Sequence, residues 1–117
     1  MTKLKKVYPV LPLRNTVLFP NQIIPIYIGR HQSLKLIADV SIQEDKNILV
    51  VAQKDGNKEN PQPEDLYEHA VLGKVMKVFD MPDKSKSAIV KGIERIKITK
   101  FNEFVDYYNA EYEISQN

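Results

Sequence analysis

The most apolar segment of this chain, residues 9 to 30 (PVLPLRNTVLFPNQIIPIYIGR), is interrupted by proline at positions 9, 12, 20 and 25. Its valine, isoleucine and leucine content is typical of paired strands. Proline, however, lacks the N–H group of a β-ladder and is confined to strand starts, edges, bulges and turns. The segment therefore predicts two short strands, Val7 to Leu13 and Ile23 to Ile28, at sheet edges, joined through a turn at Phe19 to Gln22.

The middle of the chain predicts one helix and one fully buried strand. The helix is expected over about residues 30 to 43, because Leu34, Ile37, Ala38 and Ser41 fall on one stripe, which Leu36 and Val40 widen. The continuous apolar run ILVVA, residues 48 to 52, predicts a strand covered on both faces. Residues 54 to 65 contain no apolar side chain and predict a solvated, mobile loop.

The second half of the chain predicts β-structure. Strands are expected over residues 71 to 79, 88 to 90, 95 to 101 and 107 to 114, with a turn at Met81 to Lys84. The expected fold is mainly β with one helix (α+β): six to seven short, mostly antiparallel strands in a sandwich or small open barrel, with the helix packed against it. Residues 1 to 117 are expected to form a single domain.

The composition excludes several classes of function. The chain has no cysteine, four glycines and a formal charge of +2. It carries no phosphate-binding glycine motif and no nucleophile motif, and His31 and His69 have no partner spacing typical of a metal site. A catalytic role, a bound metal and a bound nucleotide are therefore not expected. No apolar run approaches the roughly 20 residues of a membrane span, so a soluble, intracellular protein is expected.

Two segments are candidates for binding. Val17, Leu18, Phe19 and Pro20 form an apolar cluster beside a turn, and Pro25 leaves part of the second strand unpaired. An apolar loop beside an unpaired strand edge can accept an extended apolar peptide, although burial of Val17, Leu18 and Phe19 in the core remains open. The second candidate is a basic segment, residues 84 to 100, which could follow a phosphate backbone. Its lysines and arginine lack the interleaved aromatic residues that base stacking needs, so an ordinary solvated strand face is favoured.

Several segments together resemble one protein family. Residues 9 to 20 (PVLPLRNTVLFP) are similar to the PVLPLRDxVLFP signature that opens the amino-terminal domain of Lon, the ATP-dependent protease. Residues 24 to 30 (IPIYIGR), 51 to 54 (VAQK) and 90 to 95 (VKGIER) resemble the family's IPLxVGR, VAQK and VEGxxR segments. The departures are Asn15 where Asp is usual and Lys91 where Glu is usual.

The resemblance implies a non-catalytic domain excised from a longer chain, with a β-rich, PUA-like fold. Its expected role is to capture unfolded or damaged proteins for a cytoplasmic, hexameric serine protease and to support assembly of that hexamer. ATP and magnesium are expected only in the ATPase module of the parent protein, and neither a membrane nor a nucleic acid is an expected partner.

The resemblance, joined to the apolar cluster at the first turn, selects the candidate contact residues. Leu18, Phe19 and Pro20 are expected to supply apolar contact. Tyr27, Arg30 and Lys35 lie around the corner between the second strand and the helix, and the two cations could pair with acidic flanks of a substrate. The alternative function is a PUA-like nucleic-acid-binding module that uses the basic hairpin of residues 84 to 100.

Overall fold

The computed structural model describes residues 7–14, 16–58, 61–102 and 107–115. Within these residues the chain is mainly β with one α-helix, as the sequence predicts. The elements in chain order are β1 (Val7–Leu13), β2 (Ile23–Ile28), α1 (His31–Ser41), β3 (Asn47–Ala52), a 3-10 turn (Pro63–Asp65), β4 (His69–Asp80), β5 (Lys86–Asn102) and β6 (Asn109–Ile114).

The six strands form one mixed sheet in the order β2-β5-β4-β3-β1-β6, and β6 also pairs with β5. All the pairings are antiparallel except that of β1 with β3, which is parallel. Because β6 contacts both β1 and the end of β5, the sheet folds over itself into a sandwich-like arrangement. Among the described residues β2 pairs with β5 alone, so its other edge is open.

Pro12, the next-to-last residue of β1, lies where its missing N–H group does not weaken the pairing with β3. The Leu13 carbonyl accepts a hydrogen bond from the Gln53 N–H at 3.0 Å, toward β3, whereas the Val10 N–H donates to the Tyr108 carbonyl at 2.8 Å on the other side. Because backbone polar groups of successive strand residues alternate in direction, Pro12 faces away from β3. Its missing N–H removes no bond between β1 and β3.

The same alternation places Pro25 at the open edge of β2. The Gly92 N–H donates to the Gln22 carbonyl at 2.8 Å, so even-numbered residues of β2 direct their polar groups toward β5. Pro25, which lies opposite Ile89, therefore directs its backbone nitrogen away from β5. The expectation that the prolines mark edge strands is confirmed for β2, which is the first strand of the sheet, but it is wrong for β1, which lies between β3 and β6.

Strand β5 supplies two different cores because it contains a bulge. Leu72 lies opposite Glu94 and Gly73 opposite Gly92, which leaves Ile93 as an extra residue in β5. The extra residue reverses the face on which the alternate side chains lie. The part of β5 before the bulge packs Ala88 and Val90 into a core beneath α1, and the part after it packs Ile96 and Ile98 into a second core beside β6. Residues 88–90 and 95–101, predicted as separate strands, are thus two parts of one strand.

The sequence predicted the buried faces of β3 correctly and the buried face of α1 only in part. In β3, Ile48 and Val50 enter the first core while Leu49 and Val51 enter the second, which confirms a strand covered on both faces. The helix buries Leu36, Ile37 and Val40, as predicted, and in addition Ser33, whereas Leu34 is half-buried. Ala38 and Ser41 are exposed, because the wider aliphatic residues on the neighbouring stripe bury more apolar area.

The polar loop predicted to be mobile is anchored by its ends. The Gln53 side chain, itself buried, donates through Nε2 to the carbonyls of Asp55 and Lys58 at 3.0 Å. The Lys58 ammonium lies 3.0 Å from Asp65 Oδ1. The Gln62 N–H and Lys58 together hold the pKa of Asp65 below its usual value. Residues 59 and 60 of this loop lie outside the described residues.

We expect substitution of Gly92 to destabilise the fold strongly. A Cβ atom at Gly92 would lie 2.2 Å from the backbone carbonyl oxygen of Phe19, so the first turn would have to move. Gly92→Ala should lower the free energy of unfolding by about 2–3 kcal/mol, as overpacking of a close contact does. Gly73→Ala is the matched control, because its Cβ would meet the Val90 side chain at 3.0 Å, and a side chain moves more easily. Urea denaturation that gives equal losses for the two variants would contradict this account.

Candidate functional site

Two clefts lie on either side of the segment that joins β1 to β2. The first, called here the edge cleft, has a volume of about 690 Å³ and lies between the ends of β1 and β2 and the start of α1. The second, called here the turn cleft, has a volume of about 330 Å³ and lies beside the first turn. Both are open to solvent and both have apolar floors.

The edge cleft combines an apolar floor with a cationic rim. Its floor is formed by buried side chains of the two strands: Leu11, Leu13, Ile26 and Ile28. Arg14, Arg30 and His31 line its rim. Among the described residues that line this cleft none is acidic, so it offers a positive rim around an apolar surface.

Tyr27 and Arg30, two of the residues predicted from the sequence, both line the edge cleft. The Tyr27 ring lies over Gly29, where an added Cβ would approach its Cε2 atom to 2.7 Å. The Ser85 hydroxyl and N–H hold the pKa of Asp83 below its usual value, and the Tyr27 hydroxyl adds a smaller effect of the same sign.

The Arg30 guanidinium is held by the polar loop. It donates a hydrogen bond to the side-chain oxygen of Gln53, whose amide nitrogen is in turn fixed by the carbonyls of that loop. Arg30 is therefore positioned by a residue more than twenty places away in sequence, at the point where the helix starts. The polar loop therefore sets where the Arg30 guanidinium lies at the rim of the edge cleft.

The first turn divides the predicted apolar cluster between solvent and core. The side chains of Val17 and Phe19 are 52% and 51% exposed, respectively, whereas Leu18 is only 2% exposed and packs in the core beneath α1. The exposure expected for Leu18 is therefore wrong, because its side chain lies over the glycines of β4 and β5, 3.3 Å from the Cβ that Gly92 would carry.

The turn itself has the expected chemistry. The Gln22 N–H donates to the Phe19 carbonyl at 3.1 Å, and Asn21 adopts a φ of 68°, which asparagine tolerates. This turn fixes Phe19 at the rim of the turn cleft, whose floor contains Leu18, Val71 and Ile96.

The remaining predicted residues lie outside both clefts. Pro20 is half-buried in the turn, and Lys35 is exposed on α1. The sequence did not predict that Ile23 is 58% exposed beside the first turn. It predicted an unpaired edge at Pro25, but not the cleft that lies beside that edge. The signal for the cleft was present in Pro12 and Pro25, which both line it.

The basic hairpin does not present its cations on one face. Lys91 lies opposite Lys74 on one side of the sheet. Arg95 lies opposite Val71, a residue of the core beneath α1, and therefore points to the other side. The bulge at Ile93 causes this separation, and Lys86 pairs in addition with Asp80. A continuous stripe of phosphate contacts along β5 is not formed by these residues.

Two general features of the described residues bear on function. Within the described part of the chain, no helix is long and apolar enough to cross a membrane. The same residues contain no group of three or more His, Cys, Asp or Glu side chains arranged to hold a metal ion.

Solved structures with the same fold are amino-terminal domains of Lon proteases. The domain from the Mycobacterium avium complex matches with a TM-score of 0.76 at 18% identity, over 96% of this chain and 56% of that one. The Lon N-terminal domain protein from Xanthomonas campestris matches with a TM-score of 0.72 at 13% identity, over 95% of this chain and 60% of that one. At these identities the likeness defines the fold alone.

Sequence comparison defines the family. Residues 7–117 match the family model of the ATP-dependent protease La (LON) substrate-binding domain. The Lon proteases of Azospirillum brasilense and Koribacter versatilis are 40% and 41% identical over 88% and 90% of this chain, respectively. The chain belongs to the family of Lon substrate-binding domains. Members of this family are binding domains and not the catalytic part of a protease. The chain spans 13% of the length of each of these two relatives.

We expect the core residue and the rim residue of the first turn to respond differently to truncation. Leu18→Ala should lower the free energy of unfolding by about 3 kcal/mol, because it opens a cavity in a packed core. Phe19→Ala should lower it by less than about 1 kcal/mol, because half of that side chain is already in water. Denaturant titration of both variants measures the difference, and a larger loss for Phe19→Ala would overturn the assignment.

Proposed function

We propose that this chain is the substrate-recognition and assembly domain of an ATP-dependent Lon-type protease of the cytoplasm, where it captures unfolded or damaged proteins through exposed apolar surface. The observation that carries the proposal is the turn cleft, an apolar floor with the half-exposed side chains of Val17 and Phe19 at its rim. Membership of the Lon substrate-binding family supports a polypeptide as the ligand.

The chemistry of the turn cleft suits ligands that share no sequence. Unfolded proteins have in common that they expose apolar side chains, so a receptor for them needs apolar area and few directional contacts. The rim residues Val17 and Phe19, each about half exposed, offer such area above the buried floor residues Leu18, Val71 and Ile96. Phe19 is an aromatic side chain of the kind enriched at the centres of interfaces. Pro20 keeps the turn that presents Phe19.

The affinity of a single domain for such a ligand should be low. Burial of about 300–400 Å² of apolar surface contributes about 8–10 kcal/mol, and association costs about 4–15 kcal/mol. Several copies in one assembly would raise the avidity through effective concentration. We therefore propose that a hexameric parent holds substrates through several weak contacts, while ATP and magnesium act only in its ATPase module.

The rim residue Phe19 provides the direct test. Phe19→Ser should weaken binding of an unfolded model protein, reduced and alkylated lactalbumin, by about tenfold, since it removes most of the apolar area at the rim. Fluorescence anisotropy measures the affinity, and near-UV circular dichroism confirms the fold of the variant.

The matched control is Ile42→Ser. Ile42 is 86% exposed at the end of α1 and lines neither cleft, so this variant removes similar apolar area elsewhere on the surface. It should change the affinity by less than about twofold. Equal losses for the two variants, or unchanged binding by folded Phe19→Ser, would reject the turn cleft as the capture site.

Salt dependence separates capture of apolar peptide from the nucleic-acid alternative. Between about 50 and 200 mM salt, apolar capture should keep its affinity for lactalbumin within about twofold. Binding through phosphate contacts would fall steeply, with a slope that follows the number of contacts. A salt-sensitive complex with single-stranded RNA, tighter than the complex with unfolded protein, would favour the alternative.

A further inference from the structure

We propose that the edge cleft binds an extended segment of a partner polypeptide as an added β-strand on β2, with a carboxylate of that segment beside Arg14 and Arg30. This inference rests on the proposed function, because it assigns a binding mode and a ligand chemistry to substrate recognition. It concerns a different surface from the turn cleft, so the two sites are separable by experiment.

The first step is the hydrogen-bonding capacity of the β2 edge. Since Gln22 and the even-numbered residues of β2 face β5, Pro25 and Tyr27 direct their backbone groups toward the edge cleft, which both residues line. Tyr27 offers an N–H donor and a carbonyl acceptor, and Pro25 offers a carbonyl acceptor. An extended peptide supplies the complementary groups at every second residue.

The second step is the reason why the cleft stays open. Strand β1 runs antiparallel to β2, since β1 is parallel to β3 and the successive pairs from β3 to β2 are antiparallel. The two strands could in principle pair with each other. Pro25, however, directs its backbone nitrogen toward the unpaired edge of β2, and Pro12 directs its nitrogen toward the β6 side of β1, so neither can donate a hydrogen bond to the other strand. Among the described residues the outer edge of β2 therefore stays unpaired and can accept another chain.

The third step is the length of the guest segment. The residues of β2 that line the cleft run from Pro25 to Ile28. At about 3.3 Å per residue this edge spans about 13 Å, which corresponds to about four residues of an extended chain. The buried side chains of Leu11, Leu13 and Ile26 below it provide apolar contact for the inward-facing residues of the guest.

The fourth step is charge complementarity. Arg14, Arg30 and His31 line the cleft, and none of the described lining residues is acidic. The guest that best fits is therefore an extended apolar segment that carries one or more carboxylates at one end. Because Gln53 and the polar loop hold Arg30 in place, a carboxylate there meets a cation that is already oriented.

The backbone of Tyr27 provides the first test. Tyr27→Pro removes the N–H group at the open edge, while Tyr27→Ala removes the side chain and keeps that group. The ligand is a fluorescein-labelled ten-residue peptide of alternating valine and threonine that ends in two glutamates. Tyr27→Pro should bind it at least tenfold more weakly than Tyr27→Ala does. Equal affinities for the two folded variants would overturn the proposal.

A second test leaves the protein unchanged and therefore does not depend on how the variants fold. Two versions of the peptide carry N-methyl groups on the odd or on the even residues of its valine-threonine segment. At least one version should bind tenfold more weakly than the parent peptide, because methylation removes the donors that face β2. A version of the peptide that ends in two lysines should bind at least fivefold more weakly, because its positive charges are repelled by the arginines at the rim of the edge cleft. Full retention of affinity by both methylated peptides would exclude strand pairing.

The same variants separate this inference from the proposed function. If Tyr27→Pro weakens binding of the strand peptide while Phe19→Ser weakens binding of lactalbumin, both the proposed function and the strand addition are supported. If the wild-type chain binds lactalbumin but not the strand peptide, strand addition fails and apolar capture stands. If the wild-type chain binds neither probe, the proposed function fails, and strand addition fails with it.

Discussion

The missing N–H groups of Pro12 and Pro25 are the constraint on which the binding surface of this domain depends. The backbone nitrogen of Pro25 faces the unpaired edge of β2 and that of Pro12 faces the β6 side of β1, so the ladders of β1 with β3 and of β2 with β5 remain intact. The strands β1 and β2 cannot pair with each other through these residues. Among the described residues β2 therefore keeps one unpaired edge, and we propose that this edge makes the cleft available to another polypeptide.

A second constraint, the bulge at Ile93, links the two halves of the molecule. It allows one long strand to supply a core beneath α1 and a second core beside β6. The tight approach of Gly92 to the Phe19 carbonyl lies directly beside the bulge and brings the first turn down onto the sheet. That contact buries Leu18 and leaves Phe19 at the rim of the turn cleft. The packing of the core and the exposure of the contact residue thus have one origin.

The two clefts suit different aspects of one task. The turn cleft offers apolar area without directional chemistry, and the edge cleft offers backbone groups and fixed cations. A receptor for unfolded chains benefits from both, because all such chains have an extended backbone in common and all expose some apolar side chains. In the function we propose, each contact is weak alone, so that a bound substrate can be released. The division of the cations of β5 between the two faces of the sheet argues in the same direction, since it disfavours a phosphate-binding stripe.

By itself the sequence determined the bounds of β1 and β2, the turn between them, the two-sided burial of β3 and the Lon family, because proline, asparagine and continuous aliphatic runs act through local covalent geometry and periodicity. Tertiary structure alone decided that Leu18 is buried while Val17 and Phe19 are exposed, that β1 lies parallel to β3, and that the helix buries Ser33 while Ala38 and Ser41 are exposed. These outcomes depend on which residues meet across the sheet. Side chains of similar hydrophobicity fit either arrangement, and only the contacts between distant segments select one.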